Sequence, residues 1–179
     1  MKRLIALIAA LCVPLMTNAG EPPISISMAI SSDSDRNGGR WLGYRFGERD
    51  HLYVVITNTS RKTQKIWQES CSWGYYRLTF EFTDRHGKKW EARKNSVDWT
   101  ANYPRWWILE PKESMVWDVD FGDTKKWRGF PEAPKFHQDN PPNFNVKAVL
   151  EVFPDEESRK YRVWTGRVVS KALNVTFYP

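Results

Sequence analysis

Met115-Val116-Trp117-Asp118-Val119-Asp120-Phe121 places an apolar side chain at every second position, with Val116, Asp118 and Asp120 between. Successive side chains leave opposite sides of an extended chain, so a period of two describes a strand with one face buried. The same phase recurs at Ile24, Ile26 and Met28, at Leu52, Val54 and Ile56, and at Leu78, Phe80 and Phe82. It returns at Val146, Ala148, Leu150 and Val152, and shorter pieces close the chain at Tyr161 to Trp164, Arg167 to Val169, and Leu173 to Phe177. Asp84-Arg85-His86-Gly87-Lys88 has the composition of a hairpin turn leading into Lys89-Trp90-Glu91-Ala92. Seven or eight short strands separated by turns predict an all-β chain folded as an antiparallel sandwich. Helix is expected for a turn or two at most. One slot is 154–160, where Asp155, Glu156 and Glu157 precede Arg159 and Lys160, the order a helix dipole favours.

Lys2 and Arg3, the apolar run from Leu4 to Leu15, and Thr17-Asn18-Ala19 follow the order of a secretory leader. That run is about half the ~20 residues needed to cross a bilayer, and a polar segment follows it. The reading is therefore a cleaved signal peptide over 1–19 and a single β-sandwich domain over 20–179, exported to the periplasm or beyond, with no membrane span in the mature chain. Leu11 before Cys12 argues against lipid attachment. Removal of the leader leaves Cys71 as the one cysteine, so no intrachain disulfide can form and the hydrophobic core must suffice. The net charge of +6 falls to +4 without Lys2 and Arg3, and the bases are interleaved with acids. This is not the footprint of a nucleic-acid-binding protein.

Three segments resemble bacterial immunoglobulin-like domains. Leu52 to Ile56 ending in Thr57-Asn58-Thr59-Ser60 is similar to their second strand. Leu109-Glu110-Pro111-Lys112-Glu113-Ser114 resembles the turn before a later strand, and Val163 to Ser170 leading into Leu173 to Phe177 resembles their final strand pair. The resemblance implies an immunoglobulin-like sandwich and assigns no activity, because that architecture serves many functions.

Motifs that carry catalysis are missing: the sequence holds no nucleophile elbow, Gly-rich phosphate loop, His-Glu-x-x-His or Cys-x-x-Cys. His51, His86 and His137 fall on separate elements, far from a clustered metal set. Asp33-Ser34-Asp35-Arg36-Asn37-Gly38 matches the first half of a calcium loop, with Asp33, Asp35 and Asn37 as oxygen donors, but Tyr44 stands where a bidentate Glu is expected. Calcium is the one cofactor considered; otherwise none is expected, and turn chemistry explains the same residues.

Ten tryptophans are the other conspicuous feature. Trp99, Tyr103, Arg105, Trp106 and Trp107 fall in an irregular stretch and are candidate ligand-binding residues, as a sugar platform or a protein hot spot; the competing reading buries these rings as a lid. Glu81, Glu91, Asp118, Asp120 and Glu151 lie on predicted strands and represent the glycosidase alternative, which needs two facing carboxyls. The expectation is a non-enzymatic binding protein, its partner a protein or envelope component, with a carbohydrate-binding module and a small jelly-roll glycosidase as alternatives. The sequons at Asn58 and Asn174 are expected to stay unglycosylated.

Overall fold

The computed structural model describes residues 21–30, 52–121, 123, 125–129 and 143–176. Asp33, Asp35 and Asn37, like the leader segment, lie outside the described residues.

The chain forms an antiparallel β-sandwich. Strands β1 (Ile24–Ile30), β2 (Leu52–Asn58) and β7 (Ser114–Val119) make a three-stranded sheet in the order β1-β2-β7. The second sheet runs β10-β9-β4-β5-β8, from β4 (Leu78–Asp84), β5 (Lys89–Lys94), β8 (Trp127–Arg128), β9 (Asn143–Val152) and β10 (Gly166–Val169), with β11 (Leu173–Thr176) also on β9. The order β1-β2-β7 facing β10-β9-β4-β5 is the strand arrangement of an immunoglobulin-like sandwich. A separate ribbon pairs β3 (Gln64–Trp67) with β6 (Trp106–Leu109). Eight strands are present among the described residues when β2 with β3, β6 with β7, and β10 with β11 are each taken as one interrupted strand.

Parity in the sequence becomes packing. Ile24, Leu52, Val54, Ile56, Trp117 and Val119 of the first sheet meet Leu78, Phe80, Phe82, Val146, Ala148 and Leu150 of the second in one buried cluster. Phe121 sits edge-on to Phe80 and Phe82, at 4.9 and 5.7 Å between ring centres, a geometry favoured by the ring quadrupole. Cys71 is fully buried beside the carbonyls of Gln68 and Arg105.

The two strand-ending motifs meet. Asn58, at the end of β2, is buried; its Nδ2 donates to the Lys62 and Leu109 carbonyls, and its Oδ1 accepts from the Ser60 amide and hydroxyl. Its backbone N–H donates to Glu113 and its carbonyl accepts from Lys112, which holds a left-handed φ of 69° in the turn before β7. One side chain thereby ends both β2 and the facing strand. The chain continues as the β3–β6 ribbon, and the Trp164 amide donates to the Lys65 carbonyl on its far side.

Among the described residues, helix is limited to α1 (Ser72–Tyr75) and α2 (Glu156–Tyr161). The α2 start falls in the expected acidic slot, where Asp155 accepts the Ser158 amide at 2.7 Å and closes a capping box. The Asp84–Lys88 hairpin forms as expected, with Gly87 supplying the positive φ its turn requires.

Candidate binding face

The aromatic stretch does not form one platform. Trp106 and Trp107 are neighbours on β6, so their rings leave opposite sides of the strand. Trp106 lies 4.9 Å from the Tyr161 ring at a 30° tilt, and the Lys65 ammonium sits 4.7 Å from its centre. Trp99 packs edge-on against Tyr75 at 5.6 Å, and its indole N–H is buried with no hydrogen-bond partner among the described residues. Tyr103 and Trp107 remain exposed, at 69% and 49%, as does Arg105. Arg105 contributes its backbone, which accepts the Gln68 amide. Two of the five candidates, Trp99 and Trp106, therefore support the Tyr75 and Trp67 clusters, and Tyr103, Arg105 and Trp107 face solvent.

Two hollows among the described residues lie elsewhere, on the outer face of the six-stranded sheet. Alternation along β4, β5 and β9 that sends Phe80, Phe82, Ala92 and Val146 inward sends Glu81, Glu91, Arg93, Lys147 and Glu151 outward. The hollows, of about 410 and 470 Å³, adjoin at Glu91 and are together termed the groove. One end is lined by Lys89, Trp90 and Lys147. The other is lined by Tyr76, Arg77, Arg93, Arg128 and Phe153.

Register sets the groove's electrostatics. Glu81 stands directly opposite Glu91 on one side and Lys147 on the other. Two carboxylates facing across a ladder repel, and each is met by a guanidinium. Arg93 grips Glu91 with two contacts of 3.0 Å, and Arg167 reaches Glu81 at 3.1 Å and Glu151 at 4.0 Å. Arg93 also faces Arg128 across β5–β8, and no acid among the described residues pairs with Arg128. Gly129 makes this approach possible: its φ is +80° and a Cβ there would run into the Glu91 carbonyl.

Beneath the groove, Lys94 points inward. Its side chain is fully buried, ion-paired with Glu69, and ringed by Tyr75, Trp117 and Trp127 at 4.6, 6.0 and 5.6 Å from the ring centres. Burial pushes the Lys94 ammonium down to about 7, and the charge of Lys126 adds to the effect. Lys94 pairs with Trp127 in register and its ammonium faces the Trp127 ring, so Lys94 ties β8, and with it Arg128, to β5.

The alternation along β4, β5 and β9 already marked their outward side chains in the sequence, and Glu81, Glu91 and Glu151 were among its candidates. Arg77, Arg93, Arg128 and Phe153 were not. β8 is two residues long and sits inside a Pro-rich connection, so no sequence period could place Arg128 opposite Arg93. Among the described residues no three His, Cys, Asp or Glu side chains gather as a metal set, and no helix is long and apolar enough to cross a membrane. Comparison with protein families, with curated proteins and with solved structures finds no match.

Proposed function

We propose that this is an exported, non-catalytic sandwich that binds a component of the cell envelope through the outer face of its six-stranded sheet. The observation that carries the reading is the pair of adjoining hollows across β4, β5 and β9, lined by charges and rings from several strands and overlying the buried core. Export rests on the leader-like residues at the start of the sequence.

The state of the acids favours binding over hydrolysis. A glycosidase needs one carboxyl kept protonated as general acid, which burial or an uncompensated like charge provides. The Glu81 and Glu91 side chains are 45% and 42% exposed, and each already holds an arginine. The carbohydrate-platform reading, in turn, has only Tyr103 and Trp107 exposed out of its four rings.

The reading is tested by pelleting the mature protein with washed bacterial envelope fragments while assaying the supernatant for released reducing sugar. Retention without release is expected, reduced about tenfold by Phe153→Asp with Lys147→Glu, a loss of roughly 1.4 kcal/mol. Val116→Asp, on the outer face of the opposite sheet, is expected to leave retention unchanged. Release of sugar that disappears in Glu81→Gln would replace this reading with the hydrolase.

A further inference from the structure

The Arg128 end of the groove has a chemistry of its own. Arg93 and Arg128 are placed face to face by the β5–β8 ladder, where like charges destabilise the pair unless an anion lies between them. Arg77 is the third guanidinium of the hollow. Its Nε donates to the Trp73 carbonyl at 2.7 Å and its plane lies 5.8 Å from the Phe153 ring centre, so the group is held in place with other N–H donors unused by that bond. Glu91 is engaged by Arg93, Glu151 by Arg167, and the Asp155 carboxylate lies near enough to feel the charge of Arg77, so Arg128 is the guanidinium of the hollow without an acid among the described residues. A surplus of fixed positive charge therefore faces the hollow, beside the exposed rings of Tyr76 and Phe153 and the hydroxyls of Thr79 and Ser96.

We propose that this end of the groove binds an anionic oligosaccharide, its carboxylate or sulfate groups taken by Arg128, Arg93 and Arg77 and a sugar face laid against Tyr76 or Phe153. The inference rests on the outer-face reading above and names the ligand chemistry of that face. Charge complementarity calls for the anion, and planar guanidinium forks suit carboxylate and sulfate oxygens. The exposed rings of Tyr76 and Phe153 beside the hydroxyls of Thr79 and Ser96 favour a sugar, whose ring face and hydroxyls they match.

The test is calorimetric titration of the mature protein at low salt with polygalacturonate and heparin hexasaccharides, each beside its neutral counterpart, the methyl ester and the desulfated, carboxyl-reduced form. At least one acidic oligosaccharide is expected to bind about tenfold or more tighter than its neutral form, weakening as salt is raised. Arg128→Ala is expected to reduce that affinity about tenfold, and Arg61→Ala, in the exposed β2–β3 turn, to leave it unchanged. Arg128 is exposed and its removal relieves a like-charge contact, so the variant is expected to fold, with wild-type circular dichroism as the check. Equal binding of the neutral forms, an Arg128→Ala variant that binds as wild type, or polyglutamate binding as tightly as the sugars would each overturn the proposal. So would the absence of binding by both acidic sugars; if envelope retention then persists, the anionic-sugar assignment alone falls, and if retention is also lost the outer-face reading falls with it.

Discussion

At pH 5.5 the Glu69→Gln variant is expected to lose about 2–3 kcal/mol of unfolding free energy: about 2 kcal/mol to strip the proton from a buried Lys94 that has lost its counter-ion, and the rest for the missing hydrogen bond. The loss is expected to shrink to about 1 kcal/mol near pH 9, where the side chain it abandons is neutral and only a hydrogen bond is missing. The sign follows from Lys94. Its ammonium is pushed from 10.5 down to about 7 in the fold, so between those values the unfolded chain binds the extra proton and stability rises with pH. Wild-type stability is therefore expected to be flat with respect to this group below pH 7 and to climb from pH 7 to about 10. Lys94→Met is expected to remove that climb and to lose little stability at neutral pH, because Glu69 is partly exposed and can rehydrate while a methionine packs among Tyr75, Trp117 and Trp127. Urea denaturation at three pH values for the three proteins checks this; a Glu69→Gln loss that does not vary with pH would contradict it.

The second large effect is expected at Asn58. Asn58→Ala removes four hydrogen bonds from a buried junction and leaves the Leu109 carbonyl without its side-chain donor. A loss of about 2–4 kcal/mol is expected. Asn58→Asp keeps the shape and the two accepted bonds but turns a carboxylate oxygen toward the Lys62 and Leu109 carbonyls, so it is expected to be at least as damaging. An alanine variant within about 0.5 kcal/mol of wild type, the range of an ordinary surface substitution, would show that the β2–β7 junction is held by backbone pairing alone. The same burial explains why the Asn58 sequon has no room for a glycan in the folded chain: its amide nitrogen is enclosed and engaged. Asn174, by contrast, is exposed and hydrogen-bonds with Asn143.

These two sites also show how far residue order reaches. The alternation at Leu52–Ile56, Leu78–Phe82, Met115–Val119 and Val146–Val152 announces strands because a half-buried sheet imposes its own period, and the core assembled from them follows directly. Asn58 and the Pro111-Lys112 turn stood out in the sequence as short motifs, and the structure joins them through Asn58, whose side chain holds the Leu109 carbonyl and whose own carbonyl accepts the Lys112 amide. What could not be read is whatever depends on pairing partners distant in the chain. Nothing in Arg93 or Arg128 alone indicates that they face each other, and Lys94 reads as an ordinary charged residue until three rings and Glu69 close around it. The aromatic stretch failed as a platform for a local reason: adjacent residues on a strand cannot present coplanar rings on one side, so recognising β6 in Trp106-Trp107-Ile108-Leu109 would have separated the two tryptophans at once.

The β8 anchor links the buried pair to the groove. Lys94 and Arg93 are consecutive on β5 and pair with Trp127 and Arg128, so Lys94, held by Glu69 and facing the Trp127 ring, links the buried pair to the strand on which Arg128 stands. The most direct measurement of the outer-face reading is hydrogen–deuterium exchange of the mature protein with and without saturating envelope fragments. New protection over residues 76–81, 89–96 and 147–153 is expected; protection confined to 103–108 or 114–118, with the six-stranded sheet unchanged, would contradict it.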